Sequence, residues 1–144
     1  RDTQDWKWKE GESGEFQIIR PSIEQSQSDV DLLIEVSGNI DRTLIPNYPV
    51  YSLKADKPGF LFLKTRRQVI EFVIKFRELL SEIRDMHGEK VTVHLILAAP
   101  NPIVFELGKA IMKNIDPTIV LYDKVSDCVY YQKIMNLHDR IRED

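Results

Sequence analysis

The chain has 144 residues, of which 42% are hydrophobic and 30% charged, with a formal net charge of −3. This composition is typical of one globular domain and argues against a disordered chain and a nucleic-acid binder with a basic stripe. No apolar run approaches the roughly 20 residues of a membrane span. The one cysteine, Cys128, excludes an internal disulfide and fits a reducing compartment. Because the chain begins with Arg1 and not Met, we expect an excised domain of a longer protein.

Residues 1–29 carry the whole excess of negative charge, since acidic and basic residues balance in the rest of the chain. The segment is also poor in aliphatic residues, so we predict an N-terminal arm with one strand at Phe16–Ile19. Trp6 and Trp8 would point the same way on an extended chain. This spacing favours a clamp that holds the arm on the domain, with a stacking surface for a base or a partner as the alternative.

From residue 30 to residue 144 short apolar runs alternate with helical patterns, which predicts a single α/β domain. We expect a Rossmann-like, mostly parallel sheet with flanking helices. The run Val91–Leu97 is apolar on both faces toward its end, as a central parallel strand is. The other strands are predicted at Leu32–Val36, Val50–Leu53, Phe60–Leu63, Ile119–Tyr122 and Cys128–Leu137.

A long helix is predicted over Arg66–His87, where apolar residues recur every three or four positions. Thr65 and Gln68 have the spacing of a capping box. Gly88 is placed to end the helix in a left-handed conformation, which costs glycine little.

The junction after the Val91–Leu97 strand is a candidate ligand site. Asn101 is predicted to cap a second helix, with Pro102 as its first residue and an end near Lys113. In open α/β sheets ligands bind outside the carboxyl ends of strands, and a helix N-terminus there offers N–H groups to an anion. A well-capped helix with no ligand explains Pro100, Asn101 and Pro102 equally well.

Arg66 and Arg67 lie in the first helical turn, where cations oppose the helix dipole. An anion bound between them, next to Lys64, would make their position favourable. The alternative is that both side chains are exposed and screened by salt.

Motifs of common enzymes are missing from the sequence. There is no glycine-rich phosphate loop, no nucleophile elbow and no metal-ligand spacing among the three histidines. His94 lies in the middle of a strand and is predicted to be a hydrogen-bonded histidine that lines the sheet, while Cys128 is predicted to be a small buried residue. We therefore predict no catalysis, no cofactor and no metal for this chain.

Three stretches stand out, namely His94–Pro100, Glu106–Ala110 and Pro117–Tyr122, which read HLILAAP, ELGKA and PTIVLY. Together with the strand that ends in Ser37-Gly38 and the Asp5-Trp6 opening, they resemble the SAVED domain family. The resemblance implies a sensor of cyclic oligonucleotide second messengers in bacterial antiphage defence. The family is related to the CARF domains of CRISPR ancillary proteins.

The resemblance further implies a ligand that contains adenine, a fused effector outside these residues, assembly on ligand binding and a place in the bacterial cytoplasm. An effector of this kind is a nuclease, a TIR domain, a protease or a membrane segment. It implies ligand contacts at the loops after strands, here Ser37, Gly38, Pro100, Asn101 and Pro102. Tyr122 is a candidate for stacking on a base, with core packing as the alternative.

Two other functions stay open at this point. One is a phosphodiesterase that degrades the same ligand, as some CARF relatives do, for which His94 is the one histidine near a candidate pocket. The other is an assembly module that binds only protein.

Overall fold

A computed structural model of the chain describes residues 15–22, 25–59, 62–113, 118–124 and 131–136. The predictions for Trp6, Trp8 and Cys128 lie outside these residues. The division into an arm and a domain at residue 29 stays a prediction.

The described residues form one six-stranded sheet in the order β1-β3-β2-β4-β5-β6. The four central strands are parallel to one another, and β1 and β6 are antiparallel at the two edges. This arrangement confirms the predicted α/β, mostly parallel fold and the central position of β4. The strands are β1 Phe16–Ile19, β2 Asp29–Glu35, β3 Val50–Ala55, β4 Thr92–Ala98, β5 Thr118–Lys124 and β6 Tyr131–Asn136.

One predicted strand, Phe60–Leu63, is wrong in the part that the structure describes. Phe62 and Leu63 are buried but belong to no strand. They are apolar because they fill the core: the Phe62 ring packs edge-on against Phe16, with the ring centroids 5.2 Å apart.

Two helices, α1 (Arg66–His87) and α2 (Asn101–Lys113), pack together on one face of the sheet. The bounds of α1 are those predicted, and the capping box of Thr65 and Gln68 is present. Gly88 ends α1 with φ 98° and ψ 164°, a conformation that is essentially restricted to glycine.

The second face of the sheet is covered differently, by the segment between β2 and β3. This segment contains a short 3-10 turn, Arg42–Leu44, and its Ile40 packs on Leu33 and Ile96 in a small apolar cluster. Because no long helix covers this face in the described part of the chain, polar side chains of the central strands meet loop residues there.

Candidate functional site

The strands β2 and β4 lie side by side, but the chain leaves them in opposite directions. After β2 it continues to β3 on one side, and after β4 it continues to β5 on the other side. This reversal is a topological switch point, where open α/β sheets bind ligands outside the carboxyl ends of the strands. Glu35 and Ala98, the last residues of the two strands, are register partners at this edge.

Backbone hydrogen bonds bring three loops together at the switch point. The N–H groups of Val36 and Ser37 both donate to the Ala98 carbonyl, each at 2.9 Å. The Gly59 N–H, from the loop after β3, donates to the Val36 carbonyl at 3.0 Å. We call the surface formed by residues 36–39 and 98–101 the switch-point crevice.

Among the residues that the structure describes, none would clash with a side chain at position 38. A Cβ atom built on Gly38 meets no heavy atom within 4 Å, and its φ is not positive. The position beside this backbone is therefore open, so a ligand can approach the main chain closely there.

The helix α2 begins at the crevice one residue earlier than predicted. The N–H groups of Ile103 and Val104 both donate to the Pro100 carbonyl, at 3.0 and 3.1 Å. Pro100 therefore occupies the cap position that was predicted for Asn101, and Asn101 is the first helical residue. Asn101 is exposed and Pro102 is buried.

The first turn of α1 contains no acidic residue, and Arg66 and Arg67 are exposed there. The Gln68 side chain accepts from the backbone N–H of Lys64 at 2.6 Å. Arg67 lines a cleft with Glu15 and Ile70 at the β1 edge of the sheet, two strands away from β2. The structure thus separates Arg67 from the crevice.

A buried carboxylate lies directly below the crevice. Glu35 accepts hydrogen bonds from the Ile40 backbone N–H, from both Nη atoms of Arg42 and from the Ser52 hydroxyl. Burial alone would raise its pKa, but the bonds from Arg42, Ile40 and Ser52 together hold the pKa of Glu35 below its usual range. Glu35 is therefore charged at neutral pH.

A second polar cluster lies on the same face, toward the amino ends of the strands. The His94 ring accepts or donates at both nitrogens, 2.8 Å from the Tyr122 hydroxyl and 2.8 Å from Asp29 Oδ1, and it stacks on Tyr48. This geometry confirms His94 as a hydrogen-bonded histidine that lines the sheet. Because Tyr122 is the register partner of Ile96 and reaches back toward His94, its hydroxyl points away from the crevice.

Asp31 completes the second cluster and lacks a full set of partners. It is fully buried, and its Oδ1 has no hydrogen-bond partner among the described residues, while Oδ2 is 3.4 Å from the Tyr48 backbone N–H. The pKa of Asp31 is raised to about 7: burial is the largest cause, the N–H of Tyr48 lowers the pKa, and the charge of Asp29 raises it.

Sequence reasoning missed Asp31, Glu35 and Arg42. A signal for the two acids was present, because positions 29, 31 and 35 share parity in a strand and so face the same side. Arg42 carries no such signal, since its pairing with Glu35 depends on how the loop folds.

The described residues contain no group of three or more His, Cys, Asp or Glu side chains that could hold a metal ion. Within the same ranges no helix combines the length and apolar character that crossing a bilayer needs.

Comparison with known sequences gives one family. The sequence model of the SAVED family, the SMODS-associated and fused to various effectors sensor domain, matches residues 1–137. No curated protein matches the chain.

Comparison with solved structures gives the fold of the Cap4 SAVED/CARF-domain receptor of Acinetobacter baumannii. Its complex with 3′3′3′-cAAA has a TM-score of 0.67 at 21% identity, over 94% of this chain and 30% of the receptor. Its complex with 2′3′3′-cAAA has a TM-score of 0.65 at 21% identity, over 94% and 29%. A third structure of the receptor has a TM-score of 0.60 at 19% identity, over 86% and 26%. The chain thus spans less than a third of the receptor.

Proposed function

Because the chain belongs to the SAVED family of sensor domains, we propose that it binds a cyclic oligonucleotide that contains adenine at the switch-point crevice. The observation that carries the proposal is the meeting of the Ser37–Gly38 loop and the start of α2 at one edge of the sheet. A cyclic phosphodiester needs N–H donors and a few cations, and not a basic protein. The net charge of −3 is compatible with that requirement.

The proposed site consists of the two loops of the crevice and the start of α1. Lys64 and Arg66 are the cations that we assign to it, because the loop after β3 leads from the crevice into α1. Arg67 lies at the β1 edge and the Tyr122 hydroxyl points toward His94, so neither belongs to the proposed site. The loop residues of the site are Ser37, Gly38, Pro100, Asn101 and Pro102.

The proposal makes the chain a sensor that leaves its ligand intact. Its role is to activate a fused or associated effector in bacterial antiphage defence, in the cytoplasm, with self-association on ligand binding. These steps are proposals for the longer protein of which such sensor domains are usually a part. Chromatography of the ligand after incubation tests the first of them, since a phosphodiesterase would return a linear product.

We expect the chain to be stabilised by a cyclic trinucleotide such as 3′3′3′-cAAA and not by ATP or AMP. A ligand that binds only the folded state at 100 times its dissociation constant adds about 2.7 kcal/mol to the free energy of unfolding. Thermal unfolding with a panel of cyclic di-, tri- and tetranucleotides measures the effect. If the folded chain responds to none of them, the proposed function is wrong.

Alanine at position 38 is expected to weaken ligand binding tenfold or more without destabilising the fold. The added methyl has no heavy atom of the described residues within 4 Å, so the free energy of unfolding should change by less than about 0.5 kcal/mol. The same methyl would block a ligand that approaches the backbone of the loop. Calorimetric titration of the variant with 3′3′3′-cAAA gives the affinity.

The matched control is Gly108→Ala in α2, where a Cβ atom also meets no heavy atom within 4 Å. This change should stabilise the helix by up to about 1 kcal/mol and leave the affinity unchanged. Equal affinities of the Gly38→Ala variant and the wild type would remove Gly38 from the site.

A further inference from the structure

Two fixed points hold the loop that follows β2. Glu35, the last residue of that strand, is 1% exposed, and its Oε2 accepts from the Ile40 backbone N–H at 2.7 Å. At the other end of the loop the Ser37 N–H donates to the Ala98 carbonyl at 2.9 Å. Residues 37–39 therefore lie between a side chain of β2 and the backbone of β4.

Arg42 connects the end of this loop to Glu35. Its Nη1 and Nη2 atoms donate to the two carboxylate oxygens of Glu35, both at 3.2 Å, and Nη1 also donates to the Ile40 carbonyl at 3.0 Å. The Ser52 hydroxyl of β3 donates to the same carboxylate at 2.7 Å. Both backbone polar groups of Ile40 are thus bound, and the loop is connected to two strands through one carboxylate.

The Glu35 carboxylate is buried, while the Arg42 side chain is 43% exposed. A pair with one buried carboxylate adds little net stability after the cost of taking that charge out of water, but its hydrogen-bond geometry admits few alternative loop conformations. On the basis of the proposed function, we propose that Glu35 and Arg42 are positioning residues. They fix the Ser37–Gly38 loop in the conformation that a cyclic oligonucleotide contacts at the crevice.

The first test needs no ligand. In Arg42→Gln and Glu35→Gln, amide hydrogen exchange at Ser37 and Ile40 should accelerate at least tenfold more than exchange at the buried amides of α1, which report any change in global stability. The matched control is Arg20→Gln, which removes another arginine–carboxylate pair in the described chain, with Arg20 Nη2 3.0 Å from Glu82 Oε1. Because that pair joins the end of β1 to α1, exchange at residues 36–40 should stay unchanged in the control.

The second test measures affinity for 3′3′3′-cAAA at a temperature where circular dichroism shows each variant to be folded. Arg42→Gln and Glu35→Gln should each bind at least tenfold more weakly, and Arg20→Gln should bind within twofold of the wild type. Because Glu35 and Arg42 act as one unit, the double variant should lose no more affinity than the single variant that binds less tightly.

The salt dependence of binding separates positioning from direct contact. If Arg42 acts through the loop, the affinity of Arg42→Gln falls with ionic strength as steeply as that of the wild type. If the affinity of Arg42→Gln depends less steeply on ionic strength than that of the wild type, Arg42 contacts a phosphate and the positioning role is overturned. Unchanged amide exchange and unchanged affinity in the two variants would also overturn it. Failure of the wild type to bind any cyclic oligonucleotide overturns the proposed function instead, and the exchange experiment alone then decides whether Glu35 and Arg42 fix the loop.

Discussion

Asparagine in place of Asp31 is expected to stabilise the fold at pH 8 and to change its stability little at pH 4. Asp31 is fully buried, and its Oδ1 has no partner among the described residues. Burial raises its pKa from 3.8 to about 7, so at pH 8 the folded chain contains a buried, poorly compensated charge. Asparagine has nearly the same shape without that charge.

The sign follows from the two protonation equilibria of Asp31. Because the pKa is higher in the folded state, the folded chain binds the proton more tightly than the unfolded chain does. The stability of the wild type is therefore highest below pH 3.8, falls as the pH rises toward 7 and is level above it. At about 1.4 kcal/mol per pH unit, the advantage of Asp31→Asn should grow by about 3–4 kcal/mol between pH 4 and pH 8.

Urea unfolding of both proteins at intervals from pH 4 to pH 9 measures this difference. Glu35→Gln is the matched control, because Glu35 is also buried on this face of β2 but has a lowered pKa. Its charge stabilises the fold above the usual pKa of 4.5, and that stability is lost as the pH falls through the folded pKa. The control should therefore be destabilised throughout the neutral range. A difference between Asp31→Asn and the wild type that does not vary with pH would contradict the assignment.

Local signals explain why the sequence was sufficient for α1. Thr65 and Gln68 form a capping box, Gly88 ends the helix and the apolar period lies between them, all within one continuous segment. The strand ends were predicted less accurately: β2 begins three residues before its predicted start, and β4 is shifted by one residue. Strand ends depend on partners that are distant in sequence, so composition alone places them poorly.

The meeting of the loops after β2 and β4 follows from the predicted parallel sheet, but the contacts beneath these loops do not. Carboxyl ends of parallel strands share an edge, so Ser37 and Pro100, which follow β2 and β4, lie at the same edge of the sheet. The pairing of Glu35 with Arg42 depends on the fold of the loop, and the contact of Asp29 with His94 depends on the register between β2 and β4. Neither follows from a periodic pattern.

The two arginines in the first turn of α1, Arg66 and Arg67, show a limit of a different kind. They are neighbours in sequence but lie about 100° apart around the helix axis. Arg67 shares a cleft with Ile70 and Ile74, which are exposed, so it lies on the outer face of α1. The apolar period of α1 is sufficient to predict this position, because at 100° per residue Arg67 lies opposite the buried stripe of the helix.

Alanine in place of Phe72 is expected to destabilise the fold by about 3–5 kcal/mol. Phe72 is fully buried, lies parallel to Phe76 with the centroids 6.0 Å apart, and contacts Phe16 of β1 at 5.8 Å. The change removes a whole ring and leaves a cavity between α1 and the edge of the sheet. The free energy of unfolding in urea measures the loss, with Ile70→Ala as the matched control on the same helix.

The control should be nearly neutral, because Ile70 is 60% exposed and alanine favours the helix. Equal losses in the two variants would show that the layer between α1 and β1 repacks around the missing ring. The aromatic contacts also lead toward the crevice: Phe72 contacts Phe16, Phe16 contacts Phe62, and the Phe62 N–H donates to the Gly59 carbonyl at 3.3 Å. Since the Gly59 N–H donates to the Val36 carbonyl, Phe72→Ala should also accelerate amide exchange at Gly59, and Ile70→Ala should not.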